Sequence, residues 1–159
     1  MNVSVRKISL SDAQTVVSLA ATLAAFDGKN AAAFSVADFQ RYGFGENRLF
    51  DGVIAERGGV AVGYALYRDM YDIDSAYPGL HLMDLCVLEK VRRQGVGRAL
   101  MHALADACTA LGGTWMTWQC LQDNHSAMAF YQALGGRQFD CADFELSGPA
   151  LKALTAQRV

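Results

Sequence analysis

Proline is scarce in this sequence, and so is net charge. Only 2 of the 159 residues are proline, and 14 Lys and Arg face 16 Asp and Glu, for a formal net charge of −2. No proline-rich linker, internal repeat or low-complexity tract interrupts the chain, so we expect a single domain over residues 1–159. A nearly neutral chain has no broad basic field to attract nucleic acid or anionic lipid. We therefore expect neither nucleic acid nor a membrane as a partner.

Long hydrophobic runs are missing as well. The longest apolar stretch, from Val16 to Phe26, is interrupted by Ser18 and Thr22. It falls short of the roughly 20 residues that a helix needs to cross a bilayer. The first ten residues lack the apolar block and small-residue cleavage site of a signal peptide. These absences predict a cytoplasmic protein.

The cysteines do not form pairs with metal-ligand spacing. There are four of them, none in a C-x-x-C pair and none with a histidine at ligand spacing: Cys86, Cys108, Cys120 and Cys141. The pattern indicates reduced, mostly buried thiols rather than a disulfide framework. We expect no metal site.

What the sequence does contain is an alternation of strand-like and helix-like segments in a chain that is 52% apolar, enough for a substantial core. The predicted strands are Val3–Ile8, Leu49–Glu56, Val60–Arg68, Leu80–Leu88, Thr114–Cys120 and two short ones within Arg137–Leu146. The predicted helices run from a Ser11-Asp12 cap to about Phe26, over Val36–Tyr42 after Ser35, over Gly95–Leu111, over Asn124–Leu134 and from Gly148 onward. Met70–Gly79 is predicted to be a polar loop. This order indicates an α/β domain.

The segment from Leu82 to Arg98 carries the clearest chemical signal. An apolar strand leads into a basic, glycine-containing turn that opens directly into a helix. The first amides of a helix point outward and its dipole adds positive potential, so this turn is suited to an anion. Neither the G-x-x-x-x-G-K-[ST] loop nor the dinucleotide G-x-G-x-x-G pattern is present, since Leu100 stands at the third glycine position. The turn is therefore predicted to bind a diphosphate, with a solvated helix cap as the alternative.

A second block makes the pattern more specific. The R-x-x-G-x-G turn at Arg92–Gly97 is followed by Asn124-x-x-Ala127-x-x-Phe130-Tyr131-x-x-Leu134-Gly135. Together the two blocks resemble the GCN5-related N-acetyltransferase (GNAT) superfamily, and the similarity covers the chain from Val3 to about Leu146. Gly43–Glu46, Val62–Tyr67 and Gly79–Val87 look like the diamine/thialysine acetyltransferase branch.

This resemblance implies a fold and a co-substrate. The fold would be a GNAT-like mixed, mostly antiparallel sheet of about seven strands, with helices on both faces and a V-shaped opening between strands 4 and 5. Acetyl-CoA would lie in the opening, and the branch implies a homodimer. By carry-over, the pyrophosphate would be held by the backbone of Arg92, Arg93, Gln94, Gly95, Val96, Gly97 and Arg98. Leu85, Cys86 and Val87 would pair with the pantetheine arm, and Asn124 would fix the arm from the other side.

Acetyl transfer to an amine requires a neutral nucleophile and a proton for the departing thiolate. Tyr131 matches the superfamily tyrosine and is the predicted proton donor; core packing is the alternative for this side chain. His81 is the candidate base, with a bound water as the alternative. Met83 stands where the diamine branch usually has Glu, and strict alternation puts it on the same strand face as His81. Asp84 points to the opposite face unless a bulge re-aims it.

These features predict an acetyl-CoA-dependent N-acetyltransferase that acts on a primary amine of a small molecule by direct attack. The acceptor would be amino-acid-like or a diamine, and Met83 and Asp84 are the candidate substrate-binding residues. No activating base stands near Cys86 in the sequence, so an acetyl-cysteine intermediate is not expected. Two alternatives are a protein N-terminal or lysine acetyltransferase and a non-catalytic acetyl-CoA-binding regulatory module. The missing Glu at position 83 favours the latter of these two.

Overall fold

The computed structural model describes residues 2–26, 28 and 33–156. Its contacts group the chain into two compact units, Met1–Leu121 and Gln122–Val159. In chain order, unit 1 contains β1 (Val3–Lys7), α1 (Ala13–Phe26), α2 (Val36–Phe44), β2 (Asp51–Arg57), β3 (Val60–Asp72), β4 (Tyr77–Val87), α3 (Val96–Ala110) and β5 (Met116–Thr117). Unit 2 contains α4 (His125–Ala133) and α5 (Gly148–Ala156). None of the helices in this described part is long and apolar enough to cross a membrane.

The sheet has five strands in the order β1-β2-β3-β4-β5, so the expected count of about seven is wrong. The first four strands pair antiparallel and β5 pairs parallel to β4, which confirms the mixed, mostly antiparallel sheet. Two of the missing strands were expected within Arg137–Leu146, where the described residues are exposed and form no ladder. A short segment without a neighbouring backbone to pair with is not a strand.

Two other predicted segments have different lengths in the structure. Met70–Gly79 is mostly strand, because β3 and β4 continue to a turn at residues 73–76 and pair through Tyr71 and Pro78. The aspartates of this segment suggested a loop, but its aromatic residues favour a ladder. Thr114–Cys120, in contrast, is strand only at Met116 and Thr117.

The helix ends follow local sequence signals closely. Ser35 caps α2, accepting the amide of Asp38 at 3.1 Å. Ser11 and Asp12 were expected to cap α1, but they lie inside a short 3₁₀ turn, Leu10–Asp12, whose N-cap is Ser9; the Asp12 carboxylate accepts the Ser9 amide at 2.7 Å. Two hydrogen bonds of 2.8 Å from the Arg6 guanidinium hold the pKa of the Asp12 carboxyl well below its usual range. This pair ties β1 to the start of α1.

Apolar side chains fill both faces of the sheet. On one face Ile54, Tyr64 and Cys86 pack with residues of α1 and α2 in a single buried cluster. Helix α3 contacts β1 to β4, and its buried residues include Leu100 and Leu104. Helices therefore cover both faces, as the resemblance implied. Of the four cysteines, Cys86 and Cys108 are buried, Cys120 is half-buried and Cys141 is exposed, so "mostly buried" overstates their burial.

The contact between β4 and β5 depends on a glycine. The Leu80 amide donates to the Trp115 carbonyl at 3.1 Å, and the Trp115 indole donates to the Tyr77 carbonyl at 3.3 Å. A Cβ atom at Gly79 would lie 2.2 Å from the Trp115 ring. Because no real Cβ contact is that short, the ring can rest on β4 only where the side chain is absent.

Candidate active site

An extra residue in β4 changes the direction of its side chains. Leu66 of β3 pairs with Asp84, but the next residue, Tyr67, pairs with Leu82, so Met83 has no partner across the ladder. This is a β-bulge, and it breaks the alternation on which the predicted faces depended. The bulged Met83 itself is 48% exposed.

Because of the bulge, Asp84 and His81 lie on the same face of the sheet. Leu66 and Arg68 are two residues apart in β3 and so share a face, and they pair with Asp84 and His81 respectively. Strict alternation would put Asp84 on the opposite face from His81, and the bulge is the exception under which it was expected to be re-aimed. The structure thus brings together a carboxylate and an imidazole that regular spacing would separate.

Asp84 is held from the core side. Its carboxylate accepts a short hydrogen bond from the hydroxyl of Tyr64, which is fully buried. Burial, followed by the nearby Asp84 charge, raises the pKa of Tyr64 well above its ordinary value, so the phenol remains a donor. Asp84 is half-buried and keeps its orientation through this bond. Tyr64 was not predicted to be a site residue, because its place in the sequence gave no indication of a polar role.

His81 is placed at the apex of the opening between β4 and β5. Its Nδ1 lies 3.1 Å from the hydroxyl of Thr117, its parallel partner in β5. Burial, with a smaller contribution from the Arg68 charge, lowers the pKa of His81 below its ordinary value of 6.5. The imidazole is therefore neutral at pH 7 and able to accept a proton.

The opening itself is visible in the strand pairing. The ladder between β4 and β5 consists of Leu80–Met116 and His81–Thr117, whereas β4 continues to Val87. Within the described ranges, β5 therefore pairs only with the first half of β4, as expected for a V between strands 4 and 5. Leu85 and Val87 are half-buried there, and the Cys86 side chain lies in the core with its Sγ 3.5 Å from the Leu19 carbonyl. The Cys86 side chain therefore lies away from the opening, and its carbonyl points toward Gly63 of β3.

The turn before α3 presents several outward amides. Arg93 has φ +59° and Gly95 has φ +86°, both in the left-handed region, and a Cβ at Gly95 would meet nothing within 4 Å. The Ala99 amide closes the first helical turn on the Gly95 carbonyl at 2.9 Å, so the amides of Val96, Gly97 and Arg98 precede the first intrahelical bond. Such a concave run of amides at a helix start suits an anion.

The side chains of this turn have different roles. Arg92 Nε donates to the Val87 carbonyl at 3.1 Å, which joins the turn to the end of β4. Val96 is buried under the sheet, so only its amide can contact a ligand. Arg93 and Arg98 are exposed and add positive charge to the same end of α3. Gln94 is held by hydrogen bonds at both ends of its side-chain amide.

Unit 2 holds the remaining two predicted residues, Asn124 and Tyr131. Asn124 is the N-cap of α4, and its Oδ1 accepts the Ala127 amide at 3.1 Å. The side-chain oxygen is thus used locally, and the capping signal of an Asn before a helix could have predicted this. Tyr131 is half-buried near the end of α4, with its ring 5.3 Å from that of Phe130. Their roles toward a ligand stay predictions.

Comparison with known proteins agrees with this geometry. The acetyltransferase (GNAT) family model matches residues 20–136. A thialysine N-epsilon-acetyltransferase from Sus scrofa is 30% identical over 129 residues, which is 72% of this chain and 74% of that protein. The integron cassette protein VCH_CASS6 of V. cholerae has a TM-score of 0.83 at 21% identity, covering 98% of both chains. The aminoglycoside N-acetyltransferase AAC(6')-Iy, solved in complex with CoA, has a TM-score of 0.76 at 22% identity and covers 91% of this chain and 93% of that one.

The chain belongs to the GNAT family of acetyltransferases, whose acetyl donor is acetyl-CoA. The similarity to thialysine acetyltransferases agrees with the branch that the sequence resembles. The solved structures share the fold with this chain. Among the residues described, no group of three or more His, Cys, Asp or Glu is arranged to hold a metal ion.

The left-handed turn at Gly95 can be tested with a matched pair of variants. Gly95→Ala and Gly112→Ala put the same side chain at φ +86° and φ +79°, both in open space and at opposite ends of α3. We expect each to lower the free energy of unfolding by about 1 kcal/mol through backbone strain. Only Gly95→Ala should raise the Kd for CoA, by roughly tenfold, because it distorts the outward amides. Chemical denaturation and calorimetry measure both effects, and equal Kd values in the two variants would contradict the assignment of the turn.

Proposed function

We propose that this enzyme transfers the acetyl group of acetyl-CoA directly to the primary amine of a small molecule, either amino-acid-like or a diamine. One observation carries the proposal: the second half of β4, which β5 does not extend along, leads into a run of outward amides, and the same strand carries Asp84 and His81 on one face. The amides suit a diphosphate, and the carboxylate and imidazole suit a cationic amine. Acetyl-CoA supplies a thioester-activated acetyl group.

The residues of the opening fit the donor. The backbone of Leu85 and Val87 offers N–H and C=O groups along the edge of β4 that β5 does not pair, which an extended amide-containing arm can use as a neighbouring strand would, whereas the Cys86 carbonyl points toward Gly63 of β3. The turn from Arg92 to Arg98 supplies amides and positive charge for the two phosphates. Burial of the Cys86 thiol in the core agrees with direct transfer rather than an acetyl-cysteine intermediate.

Asp84 is the proposed recognition group for the acceptor. A half-buried carboxylate held by Tyr64 attracts an alkylammonium more strongly than a solvated one does. The proposal for Asp84 also accounts for the presence of Met83, because Asp84 supplies a carboxylate where the diamine branch usually has the Glu at position 83. The name of the Sus scrofa relative, which specifies an ε-amine of an amino acid, supports an amino-acid-like acceptor here.

His81 is the proposed base. An alkylammonium has a pKa near 10.4, so it must lose a proton before it can attack. The neutral imidazole of His81 faces the same side as Asp84 and is oriented by Thr117. A carboxylate that binds the ammonium and an imidazole that removes its proton would act in sequence on one nitrogen.

Tyr131 is the proposed acid that protonates the departing thiolate. Its match to the superfamily tyrosine supports this role, and the side chain is half-buried near the end of α4. The homodimer and the cytoplasmic location also stay predictions, taken from the branch and from the sequence.

Acceptor choice is tested by measuring free thiol released from acetyl-CoA with a panel of amines. We expect lysine-like amino acids and diamines to release thiol faster than peptides with a free N-terminus. Asp84→Asn should lower kcat/KM for these cationic acceptors by about tenfold, since it removes a charge-assisted contact. Asp74→Asn, which changes an exposed loop carboxylate, should have no effect. Faster transfer to peptides would support the protein-acetyltransferase alternative instead.

Tyr131→Phe tests the acid. Loss of a general acid typically costs about 10²-fold or more in rate, so kcat should fall by that order while the Kd for CoA changes little. Tyr71→Phe, at a tyrosine that is 58% exposed on β3, is the matched control. Steady-state kinetics and calorimetry separate the two quantities, and an unchanged kcat in Tyr131→Phe would remove this residue from the mechanism.

His81 should set the acid limb of the pH profile. Since burial lowers the pKa of His81 from 6.5, kcat/KM for the amine should fall toward low pH with a midpoint below 6.5, where the imidazole gains its proton. His81→Gln should lower the plateau by about 10²-fold and abolish this limb. His102→Gln, at an exposed residue of α3, should keep the wild-type profile. A limb that persists in His81→Gln would assign the base to another group.

A further inference from the structure

The β2–β3 hairpin places an arginine beside the turn that precedes α3. Along β2, Ile54 packs in the cluster under α1 and α2, so Ala55 and Arg57 face the sheet's other side, which α3 covers. The register shift at this point is taken up in β3, because Ala55 pairs with Gly63 and Glu56 with Ala61. The alternation along β2 therefore continues to Arg57.

Arg57 holds the middle of the proposed diphosphate turn. Its Nη1 donates to Oε1 of Gln94 at 2.5 Å, and Nε2 of Gln94 donates to the Lys90 carbonyl at 3.1 Å. Both ends of the Gln94 amide are used, so its orientation is determined. Gln94 stands between the two left-handed residues, Arg93 and Gly95. Whatever holds Gln94 therefore holds the conformation that turns the amides outward.

The charge of Arg57 has no counter-ion in the described part of the chain. The ion pairs formed by its neighbour Glu56 go to Arg6, on the opposite face of the sheet. Arg57 itself is half-buried, and its Nε is buried without a hydrogen-bond partner among the described residues. Partial burial of a guanidinium that has one protein acceptor for its five donors costs free energy. A nearby polyanion offsets that cost by pairing with the positive charge.

We propose that Arg57 is a positioning residue for the diphosphate of the acyl donor: it fixes Gln94 and adds an uncompensated positive charge behind the turn. This inference rests on the proposed function, because it takes the turn before α3 as the diphosphate site. It adds a residue from a distant hairpin, 37 positions before Gln94, to a site otherwise built from one continuous segment.

Three substitutions separate the charge of Arg57 from its hydrogen bond. Arg57→Gln removes the charge, and Arg57→Lys keeps the charge but loses the planar fork. Gln94→Glu keeps an acceptor for Arg57, but its carboxylate neutralises the positive charge of the guanidinium. We expect Arg57→Gln and Gln94→Glu to raise the Kd for CoA by about tenfold, and Arg57→Lys to raise it by less. KM for acetyl-CoA should follow, whereas kcat and KM for the amine should stay within about twofold.

The control is Arg41→Gln, which makes the same change in net charge at an exposed arginine of α2 that lies over the Tyr42 ring. Its Kd for CoA should equal that of the wild type. Calorimetric titrations of CoA at several ionic strengths add a second measurement. Loss of the Arg57 charge should make binding less sensitive to salt, an effect that a purely structural residue would not produce.

Wild-type Kd values in Arg57→Gln would overturn the inference. So would a variant in which kcat, the amine KM and the melting temperature all change together while the salt dependence stays that of the wild type, because Arg57 would then be a structural residue. If the wild-type protein itself bound no CoA, the proposed function would fail first and the inference with it. CoA binding in the wild type that is unchanged in all three variants would contradict the inference alone.

Discussion

The site depends on the pairing of β3 with β4, and in particular on the single residue that this pairing leaves out. With Met83 unpaired, Asp84 and Cys86 face the cluster under α1 and α2, while Leu82 pairs with Tyr67 on the α3 side. Without the bulge, the side chains of one half of β4 would point to the opposite face of the sheet. Asp84 would then lose the Tyr64 hydroxyl, and the carboxylate and His81 would lie on opposite sides of the sheet.

The second constraint is electrostatic. The protein has a net charge of −2, so a surface suited to an anion has to be formed by local amides and charges. Its basic side chains do not form a broad field, but several of them lie around one turn. Arg92 is bonded to the last carbonyl of β4, and Arg57 reaches the turn from the β2–β3 hairpin. Two left-handed residues aim the amides, at a cost of about 1–3 kcal/mol for the non-glycine one, Arg93. The backbone strain at Arg93 and the charge of Arg57, which has no counter-ion among the described residues, thus lie near the same end of α3.

Local features were predictable from the sequence. The start of α2 after Ser35 and the end of α3 near Leu111 depend on a few neighbouring residues, and the structure confirms them. The family resemblance supplied the mixed sheet and the opening beside β4. In contrast, the bulge at Met83, the Tyr64–Asp84 bond and the Arg57–Gln94 contact each depend on which strands and turns meet in three dimensions. No periodicity along one segment contains that information, and so the sequence could name a bulge as the condition that re-aims Asp84 but could not place one at Met83.

Gly79 gives the opening a fixed apex. The Trp115 ring occupies the volume where any other residue would carry its first side-chain carbon, and β5 begins immediately after that ring. Only two residue pairs join β5 to β4. If a side chain at position 79 displaced the indole by the width of a methyl group, the strands would separate at the end where they are now paired. The angle between the strands is thus determined by the smallest residue in β4 and the largest side chain next to it.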